Sequence, residues 1–301
     1  MEFIVLGIGQ DAGAPQIGQH EDPAWTDPRQ RMWATSGALI DHRLGAQYLF
    51  DATPDIREQL HLLHTITTDS HVSVSAKHPA RRERSLGLDG VFLTHAHIGH
   101  YAGLMFVGHE SAGAHRLPVF AMPRMAAYLT SNGPWDQLVR FNNIELRPMT
   151  NKHAVTLSND LVVTPFQVPH RDEYSETVGF TITGPGKRVL FLPDIDDWDR
   201  WRTEYGIDIE SMLADVDVAF LDATFFDNNE LPGRDMSAIP HPRLMASMQR
   251  FATLPLEQRQ RVRFFHLNHT NPVRFTDSDQ YKQMRSLGFA RAHRGERVCL
   301  E

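Results

Sequence analysis

Apolar residues along this chain fall in short runs that end on a single polar side chain, the pattern of buried strands. Residues 2–6 form the first such run, and Gly7, Gly9 and Gly13 make the following turn permissive. Ser36 to Ile40 and Gln47 to Phe50 read as a hairpin that ends at Asp51-Ala-Thr-Pro54. A helix over 55–64 follows, with Ile56, Leu60 and Leu63 on one stripe. Residues 66–85 are polar, and the basic stretch Lys77, Arg81, Arg82 and Arg84 reads as a solvated connection. Val91-Phe-Leu is a strand that stops at His95, His97 and His100, and a helix is expected from there to about His109. Val119 to Met122 reads as a strand and Pro123 to Ser131 as a helix. Strands follow at 144–148, 154–157, 161–168, 177–182, 188–193 and 216–226, then a helix from Pro242 to Ala252 and a last clear strand at 262–266.

The length of 301 residues is enough for one large domain with a substantial core. A hydrophobic share of 41% and a charged share of 22% are those of a globular chain. The net charge of −7, without a basic block, argues against nucleic acid as a partner. Cys299 is the single cysteine, so an internal disulfide and a Cys-rich metal clip are both excluded. The opening Met-Glu-Phe-Ile-Val-Leu-Gly lacks a basic segment and a long apolar run, and no stretch approaches the roughly 18 apolar residues of a membrane span. A cytoplasmic protein acting on a small molecule is the plain expectation, and association with copies of itself is left open.

Candidate chemistry concentrates where the strands end. His95 and His97 are two apart, so on an extended segment their imidazoles leave the same face, and His100 can reach back over the strand end from the turn. Three converging imidazoles suit zinc, iron or copper, and they are costly to bring together without a bound cation. His170 and Asp194 each stand at the end of an apolar run, and a carboxylate so placed is expensive unless paired or coordinated. Asp196, Asp197 and Asp199 are accounted for by a helix start. The Gly-rich opening lacks a P-loop lysine and reads as a tight turn near the site. Residues 18–33 read as an irregular loop over a pocket, and Trp25, Trp33, Trp135, Phe225 and Phe226 are candidate lining residues.

Thr94-His-Ala-His-Ile-Gly-His100-Tyr-Ala-Gly-Leu resembles the His-x-His-x-Asp-His signature of the metallo-β-lactamase-fold hydrolases. Within that superfamily the chain resembles the branch of the pyrroloquinoline quinone synthesis protein B, on Val5-Leu-Gly-Ile-Gly-Gln-Asp-Ala-Gly-Ala-Pro-Gln16 and His266-Leu-Asn-His-Thr-Asn-Pro272. The resemblance implies an αββα four-layer sandwich of the α/β class, formed as one domain over 1–301. It implies His95, His97 and His170 as one ligand set with an open position, and Asp194, His100 and His266 as a second. It also implies Asp51 as support for the metal-binding loop, Asp222 as an acid close to the metals, and His241 as a proton donor. Helix capping remains an alternative for Asp51 and for His241. The signature's carboxylate, which binds the second metal and orients the attacking water, is Gly99 here. A weaker second site, or recruitment of His269, is the expected consequence, with Asp194 or His241 moving the proton.

The leading expectation is a hydrolase using one or two zinc ions on a small ester, lactone or phosphodiester, with iron or manganese as alternative metals. An iron-dependent oxidative enzyme of the quinone-synthesis type is the second, since three histidines and a carboxylate also suit non-haem iron. A binding protein with a weakened metal site is the third.

Overall fold

The computed structural model describes residues 1–69 and 86–301. The solvated connection expected up to residue 85, with its basic stretch, lies largely outside the described residues. Among the described residues, fourteen strands form two seven-stranded mixed sheets flanked by helices. The first contains β1 (Glu2–Gly7), β2 (Ser36–Asp41), β3 (Ala46–Phe50), β4 (Gly90–Phe92), β5 (Leu117–Ala121) and β6 (Ile144–Pro148). The second runs from β7 (Val155–Ser158) through β8 (Leu161–Gln167), β9 (Val178–Thr183), β10 (Arg188–Leu192), β11 (Val218–Asp222) and β12 (Val262–Phe265) to β13 (Ala290–Arg291). The last strand, β14 (Arg297–Cys299), returns to pair with β1 on the first sheet.

Each sheet follows one plan. An antiparallel run of four strands (β14-β1-β2-β3, or β7-β8-β9-β10) is continued by three strands added in parallel. No repeat in the sequence announces this, because a plan set by alternating apolar residues tolerates wide substitution. Phe3, Phe50 and Phe92 of the first sheet meet Phe180, Phe191 and Phe220 of the second in one continuous core. Each of these rings is almost wholly buried, which stabilises the sandwich by about 2–3 kcal/mol per ring. A second cluster, with Val91, Leu93, Leu104, Val119 and Met125, packs the first sheet against its helices.

The expected strands all form, with ends shifted by a few residues. The helix after the hairpin runs further than expected, over Ile56–Asp69. Thr53 opens it, its hydroxyl accepting from the Asp55 backbone N–H, so Asp51 is not the cap. The single helix expected after the histidines is instead a short turn, Ile98–Tyr101, tightened into a 3-10 stretch over Ala102–Val107. Gly103 explains the compaction, since a Cβ there would meet the Thr53 carbonyl oxygen at 2.1 Å. Helices at Trp135–Arg140, Ile209–Ala214 and Asp279–Ser286 were not anticipated, being only six to eight residues long, too short to show a periodic apolar stripe. Among the described residues no helix is long and apolar enough to cross a membrane.

Candidate metal centre

The polar residues that end the strands meet at one edge of the sandwich. Thr94 to His100 follow β4, His170 follows β8, Asp194 follows β10, Asp222 closes β11 and His266 follows β12. Three sets of side chains have ligand atoms within 4.8 Å of one another: His95 with His97 and His170; His95 with His100 and Asp194; and Asp194 with Asp222, His241 and His266.

The imidazole orientations are set from behind. Thr94 donates its backbone N–H to Asp51 Oδ1 at 2.8 Å, and its hydroxyl lies 2.9 Å from both Asp51 Oδ2 and His95 Nδ1. Asp51 Oδ2 is 2.8 Å from His100 Nδ1. Asp196 Oδ1 is 2.9 Å from His170 Nδ1, and Arg200 holds the other carboxylate oxygen at 2.8 Å. The Thr224 hydroxyl donates to Asp222 Oδ1 at 2.7 Å and lies 2.9 Å from His266 Nδ1. With Nδ1 engaged in all four rings, Nε2 is the atom each presents forward.

Two foci result. His95 Nε2 and His170 Nε2 approach His97 Nδ1 at 2.9 and 3.2 Å. His100 Nε2 and His266 Nε2 approach Asp194 Oδ2 at 3.0 and 3.2 Å. Asp194 spans the foci, its other oxygen standing 3.5 Å from His170 Nε2. His266 Nε2 and Asp194 Oδ2 are buried without a hydrogen-bond partner. Such orphaned atoms are costly to keep, and imidazole nitrogens with a carboxylate are borderline donors that a divalent transition metal satisfies. The residues present therefore fit a metal.

Charge balance agrees. Burial pushes the His95 imidazole well below the ordinary histidine range, and burial lowers His97 and His266 as well. Neutral imidazole is the form that binds metal. Burial also opposes charge on His100, but the carboxylates of Asp51 and Asp194 outweigh it and raise this group well above its usual range. Burial raises Asp194, yet the surrounding imidazoles of His266, His100 and His170 hold it well below the carboxylate range. The acids of this pocket call for positive charge.

Two strand ends bend sharply to deliver these groups. Asp51 and His266 have φ of 60° and 59°, the left-handed region that disfavours a side chain.

Of the residues expected from sequence, His95, His97, His100, His170, Asp194, Asp222, His241 and His266 are brought together. His269 is not among them: it is half-buried, with Nδ1 3.0 Å from the Asn268 side chain. The turn after His266 carries it towards Arg274 and Asp22 instead. Asp196 behind His170 escaped the sequence reading because it sits among helix-start aspartates; only Asp197 caps that helix. Thr94 and Thr224 gave no signal beyond standing beside a ligand. Trp135 packs on Tyr101 and Trp25 is exposed, so neither lines the centre. Phe225 does line a cleft of about 590 Å³ beside it, with Gln10, Arg171, Arg234, His241 and His269.

An αββα sandwich with an edge site of histidines and aspartates defines the class of metallo-β-lactamase-fold proteins. Residues 46–267 match the model of the β-lactamase superfamily domain, and the chain belongs to that family. Over its full length it is 25% identical to the coenzyme PQQ synthesis protein B of Methylobacterium sp. (strain 4-46), covering all of that protein. It is 26% identical to the protein of that name from Xanthomonas oryzae pv. oryzae, again over both full lengths. Among solved structures, Zn²⁺-bound PqqB from Methylobacterium extorquens superposes with a TM-score of 0.77 at 22% identity over both whole chains. A diphosphatase from the PhnP family superposes with a TM-score of 0.64 at 22% identity, over 99% of this chain and 96% of that one.

Proposed function

We propose that this protein is a metal-dependent hydrolase acting on a small anionic ester, with a phosphodiester favoured over a lactone. The reading rests on one observation: Asp194 faces His100 and His266 with one oxygen and His170 of the adjoining focus with the other, beside a cleft that carries Arg171 and Arg234. His95, His97 and His170 would hold one ion and His100, Asp194 and His266 a second, with zinc the metal best suited to this donor set. When bound, such an ion supplies Lewis acidity and lowers the pKa of a water to about 7.

The chain's own groups do the rest. Arg171 and Arg234 attract and orient an anionic substrate at the cleft. Asp222 accepts from His241 Nδ1 at 2.8 Å, which fixes the tautomer and leaves Nε2 as the atom that exchanges a proton with substrate. Burial opposes charge on His241, but Asp222 outweighs it and raises this imidazole above its usual range, which favours the proton-donating form towards a leaving oxygen. Ligands drawn from both sheets support treating the chain as one domain. A diphosphatase among the structural relatives is in keeping with phosphate chemistry.

Elemental analysis of protein purified without added metal, with turnover of bis-p-nitrophenyl phosphate and a chromogenic lactone with and without chelator, tests this reading. Zinc in the protein and chelator-sensitive phosphodiester turnover are expected. A metal-free protein, or turnover untouched by chelator, refutes it. Iron in the protein with oxygen consumption would instead favour an oxidative enzyme, the reading supported by the full-length similarity to a quinone-synthesis protein.

A further inference from the structure

The missing signature carboxylate leaves the second focus with two imidazoles and one shared aspartate, and the loop after β1 offers a replacement. A Cβ built on Gly99 would stand 2.5 Å from Asp11 Cα and 2.8 Å from Asp11 Oδ1. The space that a side chain at position 99 would need is therefore filled by the backbone and carboxylate of another residue. Asp11 adopts φ of 46°, a left-handed conformation that a tight turn imposes. Among the described residues no hydrogen bond or ion pair engages its carboxylate, which is half-buried yet has no structural employment.

The loop is held in place from the metal side. Gln10 donates its N–H to the Leu267 carbonyl at 2.9 Å, and Leu267 donates back to Ile8 at 2.8 Å, directly beyond His266. Gly13 closes the turn where no side chain fits, since a Cβ there would meet the Met32 carbonyl at 1.9 Å. Asp11 is thus fixed between the His97–His100 turn and the strand end that carries His266. Gln10, its neighbour, lines the cleft beside His241.

We propose that Asp11 supplies the carboxylate that position 99 lacks, completing the shell of the second ion from a different part of the chain. The ion's remaining partners are the orphaned His266 Nε2 and Asp194 Oδ2 together with His100. Asp11 oxygens lie outside the three ligand groups, so its unengaged carboxylate turns inward when an ion arrives. A glycine at 99 and an aspartate at 11 are then one device: each requires the other. The second site is restored by exchange, and neither a permanent weakening nor His269 is needed.

The inference rests on the two-ion reading above, and equilibrium dialysis against Zn²⁺ followed by elemental analysis separates the two. Wild-type protein is expected to bind two ions. Asp11→Asn, which keeps the shape of the side chain, is expected to bind the first ion normally and the second about 10- to 100-fold more weakly. Gly99→Asp alone should lower the melting temperature through its clash with Asp11. The exchange variant D11G/G99D should recover the second ion that D11G loses, with folding of each protein checked by circular dichroism. A D11N protein that holds the second ion as tightly as wild type, or an exchange variant no better than D11G, overturns the role of Asp11 alone. Wild-type protein that binds no zinc overturns the two-ion reading and this inference with it.

Discussion

The two ligand foci sit side by side but are built differently. The His95–His97–His170 focus opens to solvent through His97, whose Nε2 stands 3.3 Å from the exposed Glu173 carboxylate. The His100–Asp194–His266 focus is shut in, its three residues no more than 2% exposed and two of its ligand atoms unpartnered. Behind the open focus, Asp196 is shared with the surface residue Arg200. Behind the closed focus, Asp51 and Asp222 are fully buried and matched by Thr94 and Thr224, one aspartate–threonine pair from each sheet, with the Thr94 hydroxyl also reaching His95 of the open focus. An open site tolerates a change in one ligand because water can take its place. A closed one must balance every charge from within.

The largest effect should come from the group the foci share. Asp194→Asn removes the one negative charge common to both, and loss of both ions and at least a 100-fold fall in turnover (about the upper end for supporting groups) are expected by elemental analysis and steady-state assay. Retention of one full ion would show that the foci are independent. Next, Asp51→Ala and Asp196→Ala should differ in kind. The first leaves the buried His100 Nδ1 and Thr94 N–H without their acceptor, with Asp194 still 3.0 Å from His100 Nε2, and should cost about 1–3 kcal/mol per stranded group in denaturant unfolding. The second strands only His170 Nδ1 within the protein, so it should cost less in unfolding while weakening the first ion about 10- to 100-fold. Equal unfolding costs would erase the contrast between open and closed.

Glu230 gives a smaller effect with a defined pH dependence. It ties the turn after His266 to the segment after β11, accepting from the Phe226 N–H and the Thr270 hydroxyl. Burial pushes its carboxyl up to about 7 from an ordinary 4.5. The folded state therefore binds this proton more tightly than the unfolded one. The stabilisation is full below pH 4.5, declines as pH rises towards 7 and is flat beyond. Glu230→Gln should remove that decline, a difference of at most about 3 kcal/mol seen as a flatter melting-temperature profile between pH 5 and 8. A profile parallel to wild type would count against it. Smallest of all, Glu173→Gln at the open rim should change unfolding by about 1 kcal/mol or less and metal affinity only slightly.

Much of the centre was legible in the sequence because a buried strand that ends on one histidine or aspartate is a chemical oddity. That signal marked His95, His170, Asp194, Asp222 and His266, and through them both sheets. Groups whose role comes from a distant partner left no such trace. Asp196 resembled its capping neighbours, and Thr94 and Thr224 resembled strand residues. His269 stands one turn beyond His266 and outside the ligand groups found among the described residues, a difference that spacing along the chain does not reveal.

The left-handed backbone at Asp51 and His266 has an evolutionary corollary. Each such residue works against its own conformational preference by about 1–3 kcal/mol, a burden that glycine or asparagine would relieve. Selection for heat resistance alone should therefore relax residue 266 before residue 51, whose carboxylate also holds Thr94 and His100, yielding a sturdier sandwich emptied of its chemistry.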